Sequence, residues 1–358
     1  MNDNSALHVG IPRPLVMGPS AWRGPDLARR PEEWVYTLSA PEIAEIAAAT
    51  ARHLGAGTDI AVIRRVDFPL PTLGPVLDRL RDEVVNGRGF VLLRGLPVVD
   101  RPVAEAATSY WGIGTYFGNA RSQNAKGHLL GHVRDMGLSS RDPNVRIYQT
   151  TERQNFHTDS CDIVSLLCLK PAKSGGLSSL TSSMTVYNTM ATRRPDLVWR
   201  LFGKLPSDRR GEVPPGKKPW FHTSIYSDFE GHLSAIYAPH YVRSSQRFPE
   251  APRLEPIDLE ALDYFDRLAE DPDLRLDMEF RPGDMQFVHN HTILHDRTAF
   301  EDWPEAERKR HLLRLWLAAP GARPLGETYA ERYGSVEIGN RGGIICEGTR
   351  LHAPLEPV

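Results

Sequence analysis

The sequence predicts an α+β fold: a double-sheet jelly-roll core with peripheral helices and one long insertion. Short apolar, β-rich runs bounded by Gly, Pro and Asp turns recur through the later two thirds of the chain, whereas helix-period patterns concentrate in the first third. The 29 glycines and 29 prolines among 358 residues supply more turns and surface loops than a helical bundle would use. Sandwiches and barrels of this length commonly close around a single core. Residues 39–325 therefore read as one domain with an insertion at about 203–255, preceded by an arm over 1–38 and followed by a C-terminal extension over 326–358.

Taken in order, the arm is rich in Pro, Gly, Arg and Trp without a sustained period, so it is expected to lie extended and to pack through Trp22 and Trp34. PEIAEIAAATARHLGA, from Pro41, has apolar residues at helical spacing, acids early and Arg52 and His53 late, in the sense that suits the helix dipole. LGPVLDRLRDEVVNG is a second helix closed by a glycine, and it runs into the strand GFVLLRGLPV between Gly89 and Gly95. VAEAATSYWGIGTYFG reads as a helix and Asn119 to Asn144 as a long loop over one mouth of the fold. VRIYQTT then reads as a strand, and IVSLLCL as a buried one, followed by a turn at SGG, residues 174–176. The insertion is expected to hold one or two strands. The helix DLEALDYFDRLAED follows, then LRLDMEF, the turn RPGD, the strand MQFVHN, an intervening loop and the strand RHLLRLWLAA.

Charge and cysteine content narrow the function. A net charge of −2 from 43 basic and 45 acidic residues gives no global field to draw the chain onto nucleic acid or anionic lipid, so the expected partner is a small molecule, with neither nucleic acid nor membrane. A homo-oligomer is compatible with this surface. Cys161, Cys168 and Cys346 form no C-x-x-C pair and no even-numbered framework, which favours a reducing compartment. With no secretory pattern at the N-terminus and no apolar stretch of spanning length, the cytoplasm is the expected location.

The chemistry concentrates in two motifs. In FHTDSCD, His157 and Asp159 stand two apart, so on an extended strand they share a face and can bind one ion. A third ligand must come from NHTILHDRTAF, where His289, His291 and His295 compete; His295 is set apart by Arg297 after it and by Arg310 and Arg314 on the following strand. Two imidazoles and a carboxylate leave three positions of an octahedral iron(II) open, enough for a bidentate 2-oxo acid and dioxygen. A tetrahedral zinc hydrolase site would take the same ligands without needing the arginines, and a cupin-like binding protein could retain them without catalysis.

The order H-T-D, a Gly-Gly turn about twenty residues on, N-x-x-x-x-H and then R-x-x-x-R resembles the taurine dioxygenase-like branch of the iron(II)/2-oxoglutarate dioxygenases, from about Gly89 to Pro320. That branch also includes clavaminate synthase and γ-butyrobetaine hydroxylase. The resemblance implies a double-stranded β-helix, cupin-like core holding Fe(2+) at His157, Asp159 and His295, with 2-oxoglutarate and O2 as co-substrates. It also implies that Arg310, with Ser178 of SGGLSS, binds the outer carboxylate of 2-oxoglutarate. The gap of 15 from His295 to Arg310 is longer than usual for the pattern, which keeps Arg308 and Arg314 in competition for that role. Halogenating relatives generally replace the carboxylate ligand with a small residue; Asp159 is present, so the implied outcome is oxidation, most simply hydroxylation of an unactivated carbon.

Arg314, four residues after Arg310 and so on the same strand face, would be left to meet an acidic group on the substrate, such as a carboxylate, or to pair with a protein acid. The substrate pocket is expected beside Asp159, lined by the 119–144 loop and the insertion, with Tyr148, Phe156, Tyr241 and Arg243 as candidate wall residues.

Overall fold

The computed structural model describes residues 11–139 and 146–357 and contains two principal sheets, with helices against the outer face of each. The larger has seven strands: Val35–Thr37, Phe90–Arg94, Met285–His289, Ile163–Lys170, His311–Ala318 and Asn119–Ala120 in spatial order, with Leu130–Val133 also paired to His311–Ala318. The smaller runs Leu276–Met278, Ser178–Ser182, Ile293–Arg297, Gln154–His157. Pairing within both is antiparallel except for Val35–Thr37, which runs parallel to Phe90–Arg94.

The period of two along each strand sorts side chains between layers. Phe90 and Leu92 meet Leu180, Leu276, Met278 and Ile293 of the smaller sheet in a shared buried cluster, so the two sheets pack face to face. Val91 and Leu93 point the other way, into a second core beneath the helices Ala40–Gly55, Leu73–Val85 and Val103–Gly114. On His311–Ala318, Leu312 and Trp316 enter the cluster between the sheets while Leu313, Leu315 and Leu317 face the helices, as the sequence pattern predicts. Arg314 has the parity of Leu312 and Trp316 and so lies on the inter-sheet side. The outer face of the smaller sheet contributes Phe156 and Leu294 to a third core, covered by the helices Ser183–Arg193, Pro195–Phe202 and Pro256–Ala269. A fully buried Leu or Phe in such a core contributes about 1.5–3 kcal/mol, which makes the three cores the scaffold that fixes the site.

The N-terminal arm packs as its tryptophans predict: Trp22 and Trp34 lie 5.4 and 5.8 Å from the Phe90 ring, and their indoles donate to Arg88 O and Leu27 O. It is not extended as expected, however: it forms the helix Gly24–Ala28, a 3₁₀ turn over Pro31–Glu33 and the strand Val35–Thr37, which its lack of periodicity hides.

Four further expectations need correction. The segment read as the strand VRIYQTT is, from Arg146 onward, a 3₁₀ turn over Ile147–Gln149, with Thr150 Oγ1 returning to Ile147 O at 2.9 Å; Val145 lies outside the described residues. The 119–144 loop supplies two strands to the larger sheet, with residues 140–144 outside the description. The insertion holds four strands, not one or two: Leu205–Asp208 pairs with Trp220–Thr223, and Tyr226–Phe229 with His232–Ala235. The loop after MQFVHN contains the strand Ile293–Arg297, in which only Ile293 and Leu294 are apolar, so it shows no apolar alternation. Among the described residues no helix is long and apolar enough to cross a membrane, and all three cysteines are free.

Candidate metal centre and active site

Gln154–His157 pairs with Ile293–Arg297 so that His157 stands directly opposite His295. The first of these strands ends at His157, and Asp159 lies beyond it. The convergence therefore does not rest on strand alternation alone. Asn290 Oδ1 accepts the Asp159 N–H at 2.9 Å, fixing the chain just past the strand end.

One ligand atom from each of His157, Asp159 and His295 falls within 4.8 Å of the others, the only such group among the described residues. Each imidazole Nε2 is 3.8 Å from a carboxylate oxygen of Asp159. Burial lowers both imidazoles, His295 to about 3 with further repulsion from His157, so both are neutral and offer lone pairs. Burial alone would raise Asp159, but the charge of Arg314 foremost, with the Trp316 N–H, holds the carboxyl below its ordinary value. Two neutral nitrogens and one carboxylate meeting at a point fit iron(II) and leave positions free. The supports are equally specific: His157 Nδ1 bonds Asn155 O at 2.8 Å, and Trp316 Nε1 donates to Asp159 Oδ2 at 2.8 Å.

The competing histidines are used elsewhere. His289 bonds Thr292 Oγ1 at 3.0 Å, and His291 bonds Asp162 at 2.9 Å, in a buried network completed by Arg341 on the same oxygen at 2.7 Å. Arg308 is half exposed beside Glu305 and over Trp303, away from the triad's network.

Arg310 is buried, 4% exposed, and its Nη1 has no hydrogen-bond partner. Burial pulls it down to about 10, a sign that no protein carboxylate fully compensates its charge. Its side chain rests on the Gly-Gly turn: a β-carbon at Gly176 would come 3.2 Å from Arg310 Nε, and φ of +69 there favours glycine as well. Arg297, Cα partner of Ser178, shares the Phe300 ring with Arg310, the two guanidinium carbons 4.8 and 5.2 Å from its centroid. Ser178 is buried, with Oγ 3.4 Å from Gln286 Oε1. Arg314 is placed differently. Its Nε donates to Gln123 Oε1 at 2.7 Å and its Nη1 is 3.7 Å from Asp159 Oδ2, so the acid it pairs with is a candidate metal ligand.

A cavity of about 420 Å³ opens beside the triad, lined by His157, Asp159, Arg314 and Trp316 among others. That volume suits a small molecule. The insertion forms much of its wall and Gln123 is the contribution of the 119–144 stretch. Tyr148 and Tyr241 line it as expected. Phe156 instead belongs to the core under the smaller sheet, and Arg243 pairs with Asp263 and Asp266. The unanticipated wall is the C-terminal extension: Gly343 N bonds Ser160 O at 2.7 Å, and a β-carbon on Gly342 would lie 2.6 Å from that carbonyl. The signal was present in R-G-G-I-I, an arginine and paired glycines ahead of two isoleucines.

The taurine catabolism dioxygenase TauD, TfdA family profile matches residues 50–316. The chain is 32% identical over 323 residues to FR-33289 synthase of Streptomyces rubellomurinus, covering 88% of this chain and 94% of that protein. It is 31% identical to a taurine hydroxylase-like protein of Stachybotrys chartarum, over 84% and 81% of the two chains. Among solved structures, the non-haem iron oxygenase OrfP in complex with Fe and alpha-ketoglutaric acid superposes with a TM-score of 0.60 at 13% identity, covering 79% of this chain and 93% of that one. Asparagine oxygenase with Fe(II), 2S,3S-3-hydroxyasparagine and succinate gives 0.59 at 16% identity over the same shares. The chain thus belongs to the TauD/TfdA family and is a 2-oxoglutarate-dependent non-haem iron dioxygenase.

Proposed function

We propose that the enzyme hydroxylates an unactivated carbon of a small-molecule substrate held in the cavity beside Asp159, releasing succinate and carbon dioxide. The observation that carries this reading is the buried His157, Asp159, His295 group, of which His157 and Asp159 line that cavity. Iron(II) bound there would supply the oxidation, using dioxygen and the two electrons released when 2-oxoglutarate is decarboxylated. The two facing sheets correspond in this reading to a double-stranded β-helix, and the free thiols suit a reducing cytoplasm.

The protein's own part is positioning. His157 and His295 present neutral nitrogens, and Trp316 orients the carboxylate between them. Arg310, buried with an uncommitted Nη1, takes the outer carboxylate of 2-oxoglutarate by a charge-assisted hydrogen bond, with Ser178 beside it and Arg297 adding a second guanidinium over Phe300. Arg314 lines the cavity whereas Arg310 does not, which supports giving Arg314 to the substrate side. The test is succinate formation from 2-oxoglutarate with iron(II), ascorbate and air, followed by a metabolite screen for coupled turnover. Slow uncoupled succinate release is expected without the true substrate. Its complete absence in iron-loaded protein overturns the reading.

A further inference from the structure

The cavity beside Asp159 holds positive charge that the metal centre does not use. Among the described residues six cationic side chains line it against four carboxylates, and those carboxylates are already engaged. Asp208 pairs with Arg247, Glu331 with Arg209 and Lys217, Glu212 with Arg146, and Asp159 belongs to the metal group. Arg314 is held too, by Gln123 and Asp159. Arg332 differs from these: among the described residues no carboxylate forms an ion pair with it, and its Nε is buried without a hydrogen-bond partner.

Three guanidinium groups from three separate segments gather around Tyr241. Arg146, just ahead of the 3₁₀ turn, donates to Tyr241 Oη at 2.7 Å. Arg210 from the insertion and Arg332 from the C-terminal extension each place their guanidinium carbon 5.6 Å from the centroid of the ring. Arg210 has φ of 53, a left-handed conformation that costs a residue with a β-carbon, and buried Asp208 holds it there by accepting its N–H at 2.7 Å. His240 completes the group, its ring 4.2 Å from that of Tyr241. Burial, then the charges of His157, Arg210, Arg332 and Arg146, push His240 down to about 3, so it is a neutral hydrogen-bonding group on the cavity wall. The aromatic face offsets part of the repulsion among these cations and Glu212 pairs with Arg146, while a bound anion would meet the charge of Arg332.

We propose that Arg332, together with Arg146 and Arg210, forms an anion-binding pole of the prime-substrate site, so that the substrate is a small molecule bearing an oxyanion. The group is a carboxylate, or a phosphate or phosphonate. Arg332 is its specificity-determining residue. The inference deepens the dioxygenase reading and rests on it for the identity of the cavity.

The test uses the full chain loaded with iron(II) and 2-oxoglutarate without oxygen, titrated at constant ionic strength with inorganic phosphate, methylphosphonate and propionate and followed by calorimetry. At least one anion should bind saturably, and Arg332→Gln should weaken it about tenfold or more, the loss of one charge-assisted contact. Arg332→Lys should recover part of the loss, which a purely packing role for the side chain would not give. Preference for phosphate and methylphosphonate assigns the tetrahedral group; preference for propionate assigns the carboxylate. Saturation by none of the three, or unchanged affinity in Arg332→Gln with the variant folded, overturns the proposal. The visible charge-transfer band of the 2-oxoglutarate chelate separates this from failure of the dioxygenase reading, which is signalled by no band in the wild type. In that event the same anion titration on metal-free chain still decides the role of Arg332.

Discussion

His157 and His295 face each other across neighbouring antiparallel strands with ring centroids 4.2 Å apart, and Asp159 closes the triangle from outside the sheet. The two histidines are thus set by strand register, while the carboxylate depends on contacts beyond the strand end. Replacing His157 or His295 with Ala should abolish the anaerobic 2-oxoglutarate charge-transfer band while thermal unfolding stays cooperative, because both ligands lie at the mouth of the scaffold. Trp316→Phe is a subtler probe: it removes the N–H on Asp159 Oδ2 and should weaken iron binding or turnover roughly 10- to 100-fold. Wild-type iron affinity and turnover in Trp316→Phe would show that this bond does not orient the ligand.

Arg310 and Arg314, expected on one strand face, should separate in binding experiments: the strand begins only at His311, with a register irregularity before Leu312, so Arg310 precedes it. Arg310 is buried with an uncommitted Nη1 against the Gly-Gly turn, whereas Arg314 is tied to Gln123 and lies beside Asp159. Arg310→Ala should cost 2-oxoglutarate binding on the order of 2–5 kcal/mol, while Arg314→Ala should chiefly weaken the prime substrate. Anaerobic titration of the chelate band reads this directly; loss of 2-oxoglutarate binding in Arg314→Ala alone would reverse the two roles.

Much of this was legible in the chain. The core strands announce themselves by apolar alternation or by β-branched runs, and the outward leucines Leu313 and Leu315 follow from the period of two. The H-x-D pair and distal histidine could be placed because metal chemistry demands particular residue types in one locality. The strand Ile293–Arg297 was hidden since only Ile293 and Leu294 are apolar, one for each face, and His295, Asp296 and Arg297 after them are polar. The C-terminal wall was hidden for another reason: Gly342 and Gly343 act through close backbone approach to Ser160, and Arg341 through a buried ion pair with a residue 179 positions earlier. Neither leaves a periodic trace.

Arg341 and Asp162 give a stability prediction apart from the chemistry. Both are essentially unexposed, and Asp162 also binds His291 and, through its other oxygen, accepts the Ala319 N–H at 3.0 Å. Arg341→Met should destabilise the fold by about 3–5 kcal/mol, because it strands a buried carboxylate. Adding Asp162→Asn to that variant should recover part of the loss. Urea unfolding of the single and double variants measures the coupling, and simple additivity would show that the pair does not act as a unit.

The pH dependence of stability follows from histidines that the fold keeps neutral. Burial pushes His311 down to about 3, with the charges of His132, Arg134 and Lys170 adding to it, and His291 down to about 4 despite its bond to Asp162. In the unfolded chain both revert to the ordinary value of 6.5. As pH falls below 6.5 the unfolded chain binds protons that the folded chain refuses, so stability is fully present above that value and declines between pH 6.5 and 4. Each fully differential proton contributes a slope of about 1.4 kcal/mol per pH unit. Asp162 is held below its ordinary carboxyl value, since bonds from His291 and Arg341 outweigh burial, and it adds its own loss only at more acid pH. His311→Gln removes one titrating group while its amide can still meet His132 Nδ1, now 2.8 Å from His311 Nε2. Urea midpoints between about pH 4 and 7 should therefore vary less steeply in His311→Gln than in the wild type. An unchanged slope would mean that His311 is protonated in the folded chain and that its burial does not govern the acid sensitivity.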